Sequence, residues 1–331
     1  MSHSAKLSVP LVAPEALNDR SARVADALTA CPSLYRVASH ESHGGARVVN
    51  CGIDVPGGLS AGLALARMCM GDLADVSIVP ASIPSVDRPM VFVRTDFPVL
   101  ACLSAQYAGW ALSSGKYFAM GSGPMRSAAG KEELIKSLGY TETPARVTGV
   151  LETRKLPPAE IIEKVSGDCG LSPDRLVLAV APTASLAGGV QVVARSVETA
   201  LHKLVELGFD LSRLVAAQGW APLPPIAKND MAAIGRTNDA VLYGATVVLQ
   251  VTGDDESIAE AASRVPSCAS RDFGDPFAVT FERYGYDFYK VDPGLFAPAR
   301  IIFENVVTGR SHGFGSLCPE ILRASFAIED F

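Results

Sequence analysis

Three polar side chains stand at helical spacing in the run ARSVETALHKL: Arg195, Glu198 and His202. At about 100° per residue they share one side of a helix, three and four positions apart, so neighbours in the set can touch. Val193, Val197, Ala200, Leu201, Leu204 and Gly208 make the opposite stripe, which packs on a core. A cation, a carboxylate and an imidazole side by side are groups that move protons. They are equally the groups of a solvated helix face, where an i,i+3 ion pair adds only about 0.2–0.5 kcal/mol. The segment before the helix favours the first reading. APTASLAGG (Ala181–Gly189) carries no charge, is rich in small residues, and joins the apolar run LVLAVAP (Leu176–Pro182) to the helix. Unpaired N–H groups at a helix start favour anions, and the end of a strand in an α/β sheet is where ligands bind.

The elements that must position these groups alternate. MVFVRTD (Met90–Asp96) reads as a strand, with a helix over VLACLSAQYAGWAL after it. YFAMGSG (Tyr117–Gly123) reads as a strand running into a glycine turn, and PMRSAAGKEELIKSLG as one helix that starts at proline and stops at Gly139. RVTGVLET is a strand and PPAEIIEKVSGDCG a helix; LVLAVAP is a buried strand, followed by a helix that runs through Glu198. TVVLQVTG (Thr246–Gly253) and ARIIFENV (Ala299–Val306) are later strands. This order predicts an α/β fold: two α/β lobes with mixed sheets and a substrate cleft between them. Residues 1–45 read as a helical lead-in, with a helix over Ala13–Ala30 and a polar turn over His40–Gly45. Residues 46–330 form the body, with no repeat and no linker to mark a boundary.

The 331 residues are 48% hydrophobic and 19% charged, enough apolar material for a full core. A net charge of −6 without basic runs excludes a nucleic-acid footprint. Seven cysteines, none in a C-x-x-C pair, suggest neither a disulfide framework nor a zinc site; they read as reduced thiols. The N-terminal residues lack the apolar core of a signal peptide, and no apolar run reaches membrane-spanning length, so the expected location is the cytoplasm.

Seven stretches in order resemble the methenyltetrahydromethanopterin cyclohydrolase family. They are VRTDFPVLACLSAQYAGWAL (Val93–Leu112), YFAMGSGPMR (Tyr117–Arg126), LETRKLPP (Leu151–Pro158), APTASLAGGVQVVARSVETALHKL (Ala181–Leu204), PPIAKNDMAAIGRTNDAVLYG (Pro224–Gly244), PSCASRDFGDPF (Pro266–Phe277) and DFYKVDPGLFAPA (Asp287–Ala299). The resemblance extends from about Val48 to Phe326. It implies reversible hydrolysis of N5,N10-methenyltetrahydromethanopterin to the N5-formyl compound. No metal or redox cofactor is implied, because tetrahydromethanopterin is itself the one-carbon carrier and substrate. A homo-oligomer, often a trimer, is implied as well. The low charge and the preference for Arg over Lys suit a mesophilic bacterium, in which the reaction would serve formaldehyde oxidation rather than methanogenesis.

The resemblance gives Glu198 and Arg195 the catalytic roles. Glu198 would take the proton of the attacking water, attract the cationic ring and return the proton to the leaving nitrogen. Arg195 would hold Glu198, or orient the water or the formyl oxygen. His202 is the alternative base, or a surface residue. For the anionic tail of the substrate, the turn Gly121, Ser122, Gly123 with Arg126 offers backbone N–H groups and a cation, or is an ordinary strand–helix turn. Lys228 is a further candidate for that tail. Asp96, beside Arg94, would read the amino-pyrimidine edge of the pterin, or cap the next segment. Thr183 and Ser185, then Arg236, Asn238 and Asp239 of GRTND, and Arg271 and Asp272 of SRDFGDP complete the binding set; the last five are equally caps or ion pairs. Trp220 in AQGWAP and the segment SHGFGSLCPE depart from the family pattern. The alternatives are another enzyme of pterin-linked one-carbon transfer, or a non-catalytic pterin-binding protein. A nicotinamide enzyme is disfavoured, because DVPGGLSAGLA (Asp54–Ala64) has its glycines at the wrong spacing for a dinucleotide fingerprint.

Overall fold

The computed structural model describes residues 12–328. The described residues form two units, one from residues 12–75 and Val99–Gln191, the other from Val76–Pro98 and residues 192–328. The strands, in chain order, are β1 (Ala38–Glu41), β2 (Arg47–Asn50), β3 (Asp75–Val79), β4 (Met90–Thr95), β5 (Trp110–Ser114), β6 (Tyr117–Ser122), β7 (Val147–Glu152), β8 (Leu176–Ala181), β9 (Leu214–Pro222), β10 (Thr246–Val251), β11 (Arg300–Asn305) and β12 (Ser311–Gly315). They make two six-stranded mixed sheets, in the orders β1-β2-β8-β7-β6-β5 and β12-β11-β10-β9-β4-β3. The α/β class with mixed sheets expected from the alternation of elements is therefore found.

In the first unit β8 is the spine. It runs parallel to β2 and β7, while β1, β6 and β5 add antiparallel strands at the two edges. Every residue of β8 is buried, which is why its sequence is a continuous apolar run instead of an alternation. Its side chains still divide by the two-residue period of a strand. Val177, Ala179 and Ala181 face the helices Leu17–Ala30 and Leu59–Cys69, packing with Val24, Leu28, Leu65 and Met68. Leu176, Leu178 and Val180 face the helix Ala159–Asp168, packing with Ile161, Ile162 and Val165. The lead-in segment thus contributes the helix Leu17–Ala30 to this layer.

In the second unit β10 and β11 are parallel and β9, β4 and β12 pair antiparallel. The helix Ser196–Glu206 packs on β9 and β10 through Val197, Leu201 and Leu204, all fully buried.

Four local expectations need correction. Residues Val99–Gln106 form a wide π-type helix that stops there, and Trp110–Ser114 is a strand. The antiparallel ladder Leu112↔Ala119 overrides the helical pattern read across both. PMRSAAGKEELIKSLG is two helices, Met125–Ala129 and Glu133–Leu138, because Gly130 takes a left-handed conformation (φ 60°) that ends the first. The polar turn near His40 is a hairpin: Ala38–Glu41 pairs with Arg47–Asn50, and Gly44 and Gly45 supply the positive φ of its loop. The helix expected to run through Glu198 is broken as well, into Leu186–Val193 and Ser196–Glu206.

Candidate active site

The break in that last helix falls on Arg195. With φ −88° and ψ 7° it caps the second helix instead of lying inside it, and Glu198 sits in the first turn. A carboxylate there is favoured by the unpaired N–H groups of a helix start. Arg195 Nη1 lies 4.0 Å from Glu198 Oε2, and the two side chains are only 10% and 6% exposed. The polar face is therefore withdrawn from solvent. Charges so buried are kept only where they are paired or hydrogen-bonded. His202, one turn further on, has its imidazole 3.6 Å from Glu206 and is more than a quarter exposed.

The first unit brings a second polar group together. Because β2, β7 and β8 are parallel, their C-terminal ends meet at one edge, with Asn50 registered on Val180 and Glu152 on Ala181. Ligands of α/β sheets bind outside such an edge. Here the Thr183 hydroxyl donates to Glu152. Asn50 Oδ1 accepts the N–H groups of Gly52 (3.1 Å) and Ile53 (2.9 Å), while its amide nitrogen donates to Asp54. Ser185 caps the helix Leu186–Val193: its hydroxyl accepts from Gly188 N at 3.0 Å and donates to Pro182 O at 2.7 Å. Asn50, Asp54 and Glu152 were not anticipated from sequence. Asn50 and Glu152 end β2 and β7, and Asp54 lies in the loop after β2; the parallel register brings the two strand ends to one edge.

The GSGP turn is not an open anion cradle. Gly123 N–H donates to Ala105 O at 2.9 Å, and the Ser122 hydroxyl contacts Cys69 Sγ at 3.1 Å. Gly121 and Gly123 are buried with it. Arg126, fully buried, grips Glu132 with two bonds of 2.7 Å and donates to the carbonyls of Leu103 and Ala105. The Arg126 guanidinium has no exposed surface.

The GRTND motif is likewise turned inward. Arg236 clasps the carbonyls of Ser325, Pro225 and Ile226, and Asn238 bonds back to Ile234 O on its own helix. Asp239 is fully buried and accepts the Phe277 N–H at 2.8 Å. Burial pushes its carboxyl up to about 7, against the opposing pull of the Ser325 hydroxyl and the Phe277 N–H. Asp272 receives the Tyr284 hydroxyl (2.9 Å) and the Asp292 N–H (2.8 Å), and so pins its loop. Arg271, Lys228, Arg94 and Asp96 remain exposed. Arg94 sits opposite Gln218 in the β4/β9 ladder. Thr95, not Asp96, accepts the Phe97 N–H at the strand end.

All seven cysteines are unbridged, and burial raises the Cys51 and Cys169 thiols to about 12, far from reactive thiolates. Among the described residues no three His, Cys, Asp or Glu side chains converge as a metal site, and no helix is long and apolar enough to cross a membrane.

The family described as Cyclohydrolase (MCH) matches residues 16–326. A methenyltetrahydromethanopterin cyclohydrolase of Rhodopirellula baltica is 50% identical over 289 residues, covering 86% of this chain and 87% of the relative. One from Methylobacterium sp. is 42% identical over 94% of this chain and 97% of its own length. One from Methanococcoides burtonii is 38% identical over 95% and 99%. The match runs through both sheets and through the Arg195–Glu198 turn, and the chain belongs to the methenyltetrahydromethanopterin cyclohydrolase family.

Proposed function

We propose that this protein catalyses the reversible hydrolysis of N5,N10-methenyltetrahydromethanopterin to N5-formyltetrahydromethanopterin, with Glu198 as the proton carrier. The observation that supports this most directly is the withdrawn Arg195–Glu198 pair at the start of a helix, in a chain that matches the family from residue 16 to 326. The methenyl carbon lies in a cationic amidinium between two nitrogens. Water adds to that carbon, and Glu198 accepts the proton as the bond forms. The C–N10 bond then breaks as the adduct's hydroxyl proton leaves to water and the formyl C=O forms, and the protonated Glu198 hands its proton to N10. One carboxylate thus serves both steps, and its negative charge favours the cationic ring before attack. Arg195, at 4.0 Å, supplies positive charge beside the carboxylate without a direct hydrogen bond to it. In this proposal it steadies the oxygen of the tetrahedral adduct as the C–O bond forms.

Thr183 and Glu152 form a hydroxyl–carboxylate pair at the ligand-binding edge of the first sheet, where they suit the polar edge of a pterin. Arg94, Asp96, Lys228 and Arg271 are exposed and keep their place in the binding set. The reaction transfers no electrons and so needs no redox cofactor, and with Glu198 as the base the proposal calls on no metal. Prolonged treatment with a strong chelator leaves its rate unchanged. The same reading places the protein in the cytoplasm as a homo-oligomer, a state that analytical ultracentrifugation measures.

The test is to mix purified protein with methenyl-tetrahydromethanopterin and, separately, with methenyl-tetrahydrofolate, and to follow the methenyl absorbance. Loss with the methanopterin compound supports the proposal. Loss with folate alone overturns the choice of carrier, and binding without loss in either overturns catalysis.

A further inference from the structure

Gly219 occupies the middle of β9, opposite Val247 of β10 and Val93 of β4. Its backbone is not left-handed, so the position does not need glycine for its dihedral angles. A glycine inside a strand otherwise weakens it, and often marks a close approach of another element. The approach here is the first turn of the helix Ser196–Glu206. A methyl group at Gly219 would stand 2.7 Å from Ser196 Oγ, 3.0 Å from Val197 Cγ2 and 3.2 Å from Val247 Cγ2. Ser196, Val197 and Val247 are all fully buried, so there is no solvent into which they can swing. Among the described residues the Ser196 hydroxyl has no hydrogen-bond partner, so contact with the bare Gly219 backbone, and not a polar tether, defines its seat.

Ser196 and Val197 are the two residues immediately before Glu198 in the same turn. Any lift of that turn from β9 carries the Glu198 carboxylate with it. We infer that Gly219 is a positioning residue for Glu198: the missing side chain lets the helix start rest on β9, and that height fixes where the carboxylate stands. The inference rests on Glu198 being the proton carrier. It concerns a residue that touches neither substrate nor reacting atoms.

The experiment compares Gly219→Ala, Ser196→Ala, the double variant and Glu198→Gln in the full-length protein, measuring kcat and KM for methenyl-tetrahydromethanopterin together with thermal melting. Gly219→Ala is expected to fold and to lose about tenfold in kcat, the effect of a displacement well under 1 Å. Its KM stays within about twofold, because the lost interaction belongs to the transition state. Ser196→Ala alone stays within about twofold of the parent in kcat, since it removes only an unbonded hydroxyl. In the double variant the nearest of the three obstructing atoms is gone, and most of the lost kcat returns. A merely destabilising glycine replacement would not be rescued in this way. If Gly219→Ala does not fold, the double variant decides: recovery of folding with kcat within about twofold of Ser196→Ala supports the inference, and a folded double variant with kcat about tenfold below Ser196→Ala overturns it. A folded Gly219→Ala enzyme with parental kcat, or a double variant no faster than Gly219→Ala, also overturns it. Parental turnover in Glu198→Gln overturns the proton-carrier reading itself. An inactive Glu198→Gln beside a fully active Gly219→Ala removes only the positioning role.

Discussion

Arg195 Nη1 stands 4.0 Å from Glu198 Oε2, and both side chains are almost wholly out of solvent. The separation exceeds a hydrogen bond, so the attraction between them is Coulombic. Glu198→Gln keeps size and shape and loses the base. Its kcat is expected to fall by about 10²–10⁴-fold, with melting close to the parent. Decay of the methenyl absorbance under saturating substrate measures it, and a rate within twofold of the parent would remove Glu198 from the mechanism.

Asp239 gives a pH dependence of stability with a definite sign. Its folded-state pKa, about 7, lies above the ordinary carboxylate value of 3.8. The stabilisation it contributes is fully present below pH 4 and is lost as pH rises through 7, where the buried carboxyl must ionise. Asp239→Asn keeps an oxygen for the Phe277 N–H and cannot ionise. The variant should therefore melt higher than the parent at pH 8 and show a smaller advantage at pH 5. Melting curves at the two pH values decide, and equal shifts at both would contradict the raised pKa.

Arg126 separates a structural cation from a ligand-binding one. It holds Glu132 by two parallel bonds, with two backbone carbonyls beside them, in full burial. Arg126→Lys loses the planar fork and leaves acceptors unpaired. The expected cost is about 3–5 kcal/mol of stability, read from denaturant unfolding. KM of the folded fraction should not change. A raised KM with parental stability would return Arg126 to the substrate tail.

Ser185 is the cap that starts the helix Leu186–Val193. Ser185→Ala should cost about 1 kcal/mol, as for other lost N-caps. Thr183→Val, which removes the hydroxyl held by Glu152, should instead raise KM with little change in melting. These two substitutions, two positions apart, thus separate folding from recognition by comparing melting with steady-state kinetics.

The amino-acid sequence by itself determined the elements whose pattern is local. Leu176–Ala181, Val147–Glu152, Thr246–Val251 and Arg300–Asn305 are strands where apolar runs are bounded by turn residues, and Ala159–Asp168 is a helix where the apolar period is 3.6. It also determined the family, because long stretches in order carry that information, and it put Arg195 and Glu198 within one turn of each other. Only the tertiary structure decided which polar groups are withdrawn from water. By spacing alone Arg195 and Glu198 pass for a solvated face, and GRTND for a ligand motif. Burial depends on what packs against a face, and that is set by residues far away in the chain. Gly219 lies more than twenty positions beyond Glu198, and the seat it offers to the helix start exists only once β9 pairs with β10. Asn50, Glu152 and Thr183 likewise gather at one edge because three strands run parallel, a register that no local pattern encodes.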